Sequence, residues 1–86
     1  MDKTIAVSGG FDPLHADHVR MMEAAAAHGK LIVILNSDEW LIRKKGYFHQ
    51  SWDYRAYIIS RLPFVGSVEP ADDHDGTVIQ SLRRIM

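Results

Sequence analysis

The chain has 86 residues, 47% of them apolar, and a formal charge of −1, a balance that leaves no basic excess for nucleic acid. A single small domain is expected, burying only about 60–65% of the surface its unfolded chain exposes. There is no cysteine to build a disulfide or a thiolate metal site, Met1-Asp2-Lys3-Thr4 does not begin a signal peptide, and no apolar run approaches the ~20 residues that span a bilayer. The expectation is a soluble protein of the reducing cytoplasm with no membrane partner.

In chain order, Thr4-Ile5-Ala6-Val7 predicts a first strand over residues 3–8, and the alanine-rich segment after it predicts a helix over 16–27. Gly29 is expected to close that helix in the left-handed conformation. Leu31-Ile32-Val33-Ile34-Leu35 is apolar without alternation, as in a parallel strand covered on both faces. Asn36, Ser37 and Asp38 then offer capping oxygens to a short helix over 39–42 that ends near Arg43-Lys44-Lys45-Gly46. After a loop over 46–50, Ser51 is expected to cap a helix over 52–62, with Ala56, Ile59 and Leu62 inward and Pro63 ending it. A third strand over 66–69, a turn over 72–76 and a last helix over 77–86, with Val78, Ile79, Leu82 and Ile85 inward, complete the reading.

Strands alternating with helices predict an α/β fold, a doubly wound, Rossmann-like parallel sheet in three layers with strand order 3-2-1. Ligands of such sheets bind beyond the carboxyl ends of the strands, where the turns at Ser8-Gly9-Gly10 and Asn36-Ser37-Asp38 fall.

The most informative stretch is Ser8-Gly9-Gly10-Phe11-Asp12-Pro13-Leu14-His15-Ala16-Asp17-His18, a strand-to-helix turn. Its glycines permit close approach of a ligand, and the helix that follows presents free N–H groups suited to phosphate. His15 and His18, three apart, share one side of that helix. A bare His-x-x-His pattern is weak, and a metal site built from these histidines and Asp12 lacks a further ligand. Asp12 fits either a turn acceptor or a site residue, Asp38 either a first-turn acid or a substrate contact. Trp40 and Trp52 read as core or rim.

Gly9-Gly10-Phe11-Asp12 followed by His15-x-x-His18 resembles the signature of the cytidylyltransferase-like nucleotidyltransferases. The resemblance continues through 31–38, Lys44-Lys45-Gly46, 52–55 and 72–84, and it implies the N-terminal part of that fold, incomplete at its C-terminal end. It also implies transfer of a nucleotidyl group from CTP or ATP to a phosphorylated alcohol or sugar, with release of pyrophosphate. By resemblance, His15, His18 and Lys44 are catalytic; Gly9, Gly10, Phe11, Asp12, His15, His18 and Lys45 bind nucleotide; Asp38, Lys44 and Arg55 bind the acceptor. Mg²⁺ would accompany the triphosphate, and no residue is assigned as a metal ligand. The family motif has glycine where Asp17 stands, so weakened triphosphate binding is expected, and a catalytically impaired binding module or a fragment of a longer enzyme is the alternative. The edge of the first strand is expected to pair with a second copy, a separate partner chain or a C-terminal part absent here.

Overall fold

A computed structural model describes residues 3–72. The elements run β1 (Thr4–Gly9), α1 (Ala16–Ala26), β2 (Lys30–Leu35), α2 (Asp38–Lys45), α3 (Trp52–Ser60) and β3 (Val65–Pro70). The expected turn beyond Asp72 and the helix over 77–86 lie outside the described residues. No helix among the described residues is long and apolar enough to cross a membrane.

Both strand pairs are parallel and β2 lies in the middle, so the order β1-β2-β3 is the expected 3-2-1 read from the other edge. Two right-handed crossovers in the same direction put α1 and α3 on one face of the sheet. There Met22 of α1 and Ile59 of α3 meet Leu31, Val33 and Leu35 of β2 in the core, with Phe11 from the first turn. The alternate residues Ile32 and Ile34 point to the opposite face and are buried as well. β2 is therefore covered on both sides, the condition its unbroken apolar run required.

Local chemistry sets the boundaries. Ser37 Oγ accepts from Trp40 N at 3.0 Å and starts α2; Ser51 Oγ accepts from Tyr54 N at 3.4 Å and starts α3. Gly46, at φ 86°, ends α2 in the left-handed conformation and donates to Ile42 O at 2.8 Å. α2 thereby keeps Arg43, Lys44 and Lys45 in its last turn, where cations suit the helix dipole, and runs longer than the sequence suggested.

Three expectations are corrected. α1 ends at Ala26 with Ala27 as a right-handed cap, and Gly29 does not take the left-handed conformation. Its missing side chain serves proximity instead, since a Cβ there would lie 2.5 Å from Lys3 O, the acceptor of the Lys30 N–H. α3 stops at Ser60, before Pro63, because Arg61 and Leu62 N–H turn back onto Ile58 and Ile59 in a tighter final turn. β3 begins at Val65 with a register shift that skips Gly66 between the partners of Leu31 and Ile32. A Cβ on Gly66 would sit 2.9 Å from Leu31 O, so the irregular pairing needs glycine.

Candidate functional site

Three segments meet at the carboxyl end of the sheet: the turn after β1, the turn after β2, and the loop between α2 and α3. The first turn is shaped by Phe11, whose φ is 48°, and neither Gly9 nor Gly10 has a positive φ. The glycines make room for neighbours. A Cβ on Gly9 would lie 2.9 Å from the Phe11 ring, and one on Gly10 would lie 2.7 Å from Leu41 of α2. Phe11 itself is 7% exposed and belongs to the core, so the residue expected to line a nucleotide pocket mainly supports the turn from beneath.

His15 is the N-cap of α1. Its backbone N–H donates to Nδ1 of His18 at 3.1 Å, and the two imidazoles stack with centroids 3.5 Å apart and planes 18° apart. A backbone N–H can only donate, so Nδ1 of His18 is the acceptor and the proton of the neutral ring sits on Nε2. The edge of Phe11 meets His18 at a centroid distance of 5.0 Å. Burial lowers the pKa of His18, repulsion from His15 adds to the effect, and Asp17 opposes it. The result is a neutral donor at a helix start. Asp17 turns to solvent and pairs with Arg20 at 2.6 Å, both side chains being well exposed.

Asp12 faces away from the histidines. Its carboxylate, fully buried, accepts from His49 N at 2.6 Å and Gln50 N at 2.7 Å and lies 3.3 Å from Lys45 Nζ. Burial raises its pKa, but these backbone bonds and the Lys45 ammonium outweigh it and hold the group below the ordinary carboxylate value. Asp12 thus fastens the α2–α3 loop to the first turn across the sequence. Lys45 also donates to Asp12 O at 3.0 Å, while Lys44 holds its ammonium 4.7 Å from the Trp40 ring centroid.

Arg55, on α3, is the joint of the site. Its side chain is closed from solvent and donates Nε to Gln50 O at 2.9 Å, Nη1 to Gly10 O and Asn36 O at 2.8 Å each, and Nη2 to Asp38 Oδ1 at 2.6 Å. Only a planar guanidinium presents donors in the directions these four groups require. Arg55 and Asp38, expected at the acceptor, here bind each other, with Arg55 beneath the site and Asp38 one-third exposed at its rim. The structure thus gathers Gly9, Gly10, Asp12, His15, His18, Asp38, Lys45 and Arg55 at one end of the sheet.

Sequence reasoning missed Gln50, while Trp52, expected at the core or rim, packs against the core. Gln50 works through its main chain, taking Arg55 Nε on its carbonyl and giving its N–H to Asp12, and main-chain groups carry no residue signature. Trp52 donates Nε1 to Leu35 O at 3.0 Å, which stations its ring at the end of β2.

Known proteins resemble this chain in sequence and in fold. The cytidylyltransferase-like family model matches residues 6–78. The chain is 33% identical over 69 residues to a glycerol-3-phosphate cytidylyltransferase of Bacillus spizizenii, covering 79% of this chain and 54% of that protein. It is 40% identical over 74 residues to the bifunctional protein HldE of Campylobacter concisus, covering 83% of this chain and 16% of that protein. The chain therefore spans about half the length of the first relative and a small part of the second. Its fold also matches the lipopolysaccharide core biosynthesis protein of Thermoplasma volcanium, with a TM-score of 0.87 at 20% identity, over 99% of this chain and 69% of that one. With the family match running through the first turn and all three strands, this chain belongs to the cytidylyltransferase-like family.

Proposed function

We propose that the chain works in nucleotidyl transfer, with CTP or ATP as donor and a phosphorylated alcohol or sugar as acceptor. The observation that carries this reading is the stacked His15–His18 pair at the start of α1, beside Gly9 and Gly10, in a chain of this family. A phosphate oxygen of the acceptor attacks the α-phosphorus, the bond to the β-phosphate oxygen breaks, and pyrophosphate leaves with the electron pair. Such a displacement asks the protein for position and for donors to the growing negative charge. His15 and His18 fill that role from the helix start, and Lys44 and Lys45 supply cations from the end of α2.

Among the described residues no three His, Cys, Asp or Glu side chains cluster to hold a metal, and Asp12 and Asp38 are already engaged. Mg²⁺ would come with the triphosphate and would offset its negative charge. The reaction is assigned to the cytoplasm, which supplies nucleoside triphosphates. Among the described residues β1 is paired on one side, with β2, and we assign its other edge to association with a second copy or a partner chain. Light scattering that finds a monomer at every concentration would exclude pairing with a second copy.

A second reading, nucleotide binding without turnover, is favoured by Asp17 in the place of the motif glycine. Its charge stands in the first turn of α1, partly offset by Arg20. The test is pyrophosphate release with CTP and ATP over a panel of phosphorylated alcohols and sugars, for the parent and for Asp17→Gly. Turnover by the parent supports transfer, and turnover by Asp17→Gly alone supports the second reading. Because Asp17 is exposed, Asp17→Gly should tighten triphosphate binding by only about three- to tenfold. Tight binding with no pyrophosphate from either protein would establish the second reading.

A further inference from the structure

The His15–His18 stack has a property that neither ring has alone. The centroids lie 3.5 Å apart in nearly parallel planes, and His18 Nδ1 already accepts the His15 N–H. Two imidazolium charges at that separation repel each other. A second proton is disfavoured by about eightfold at the dielectric of water, and by over about a thousandfold at an effective dielectric near 20. The stack therefore has room for one added proton and not for two.

The surroundings favour a neutral stack until an anion arrives. The start of α1 is the positive end of that helix's dipole, and the edge of Phe11, the positive side of its ring quadrupole, meets His18 at 5.0 Å. Asp17, the acid in the first turn of α1, is 79% exposed and matched by Arg20. Asp12, in the turn before α1, is held on the far side by Lys45 and by the N–H groups of His49 and Gln50. On α2, Lys44 lies over the Trp40 ring and Asp38 is matched by Arg55 of α3. Burial and the neighbouring ring accordingly hold the His18 pKa below its ordinary value, against the opposing pull of Asp17.

A triphosphate reverses that balance. Each negative charge about 5 Å away favours an imidazolium by about fourfold even at the dielectric of water, and a triphosphate brings several. Resting on the nucleotidyl-transfer reading, we infer that the His15–His18 stack takes up one proton, and only one, when the triphosphate binds, and returns it to solvent when pyrophosphate leaves. The uptake forms a single N–H bond on one of the two rings, and no other bond is made or broken. The stack thus meets the polyphosphate with one imidazolium and one neutral donor, and the imidazolium makes the stronger, charge-assisted bond. Affinity for the triphosphate then rises as pH falls, by up to about tenfold per pH unit in the range where the terminal phosphate, with a last pKa of about 6, is already ionised.

The test is calorimetry of CTP with Mg²⁺ at about pH 7.5 in two buffers of different ionisation enthalpy, joined to ring-nitrogen NMR of His15 and His18 in the free and bound protein. Inorganic tripolyphosphate, which carries no base, is a second probe in the NMR measurement. The expected result is a buffer-dependent heat equal to the uptake of between half a proton and one, with the imidazolium signature appearing within the His15–His18 pair. Uptake below half a proton, uptake above one, or uptake while both rings stay neutral would overturn the inference. CTP that binds without uptake removes the proton coupling and leaves the nucleotidyl-transfer reading standing. Tripolyphosphate that charges the pair while CTP fails to bind does the reverse.

Discussion

Arg55→Met should remove a large part of the stability of this domain. The substitution strips hydrogen bonds from the carbonyls of Gly10, Asn36 and Gln50 and leaves the Asp38 carboxylate without its cation. Taking one partner from a fully buried ion pair costs about 3–5 kcal/mol; Asp38 is one-third exposed, so the expected loss is about 2–4 kcal/mol of the roughly 4–13 kcal/mol that a chain of 86 residues has in total. Arg55→Lys keeps the charge but presents one point donor instead of a fork, so it should recover less than half of the loss. Urea titration followed by circular dichroism measures both. A loss under about 1 kcal/mol in Arg55→Met would mean that the turns hold their places without the guanidinium, contrary to the geometry.

The second large effect is expected at His18. If its Nε2–H meets a phosphate oxygen, His18→Ala forfeits a charge-assisted hydrogen bond of about 1.5–3 kcal/mol, which is roughly 10- to 150-fold in affinity for CTP or ATP. His18→Asn separates binding from folding, since its side-chain oxygen can still accept the His15 N–H while Nε2 is gone. It should keep the stability of the parent near neutral pH and still lose the affinity. Equal CTP affinity in all three proteins would remove His18 from the site.

The pH dependence follows from the same bond. Folding lowers the His18 pKa below its ordinary value of 6.5, so the unfolded chain binds the proton more readily and stability rises with pH. The contribution is fully present above pH 6.5 and is lost as pH falls through the lower folded value. Denaturation midpoints measured between pH 5 and 8 should slope upward in the parent and flatten in His18→Asn.

The fold was largely legible because its signals were local. An unbroken apolar run marked the central strand, Ser37 and Ser51 marked two helix starts, and a glycine-rich turn followed by two histidines marked the ligand end. What the sequence hid were contacts between distant segments. Arg55 reads as a lone cation within a helix, and only tertiary structure brings it under Gly10, 45 positions earlier in the chain. Asp12 was open between a local turn and the site, and its acceptors' partners proved to be main-chain N–H groups 37 and 38 positions away. Gly29 misled for the same reason. A glycine after a helix fits a left-handed cap by pattern, whereas the constraint here comes from Lys3, just before β1.

Trp40 lies beside Gly10 and Trp52 at the end of β2, and that separation makes the protein its own optical probe. Trp40 has its ring 3.5 Å from where a Gly10 Cβ would stand and lies under the Lys44 ammonium, so phosphate drawing Lys44 away would alter its emission. Trp52 lines an open cleft with its indole N–H held on Leu35 O, so its emission follows what covers that end of β2 instead. Trp40→Phe and Trp52→Phe would each leave a single fluorophore, and the order in which the two places fill could then be timed in one rapid-mixing experiment without any attached dye.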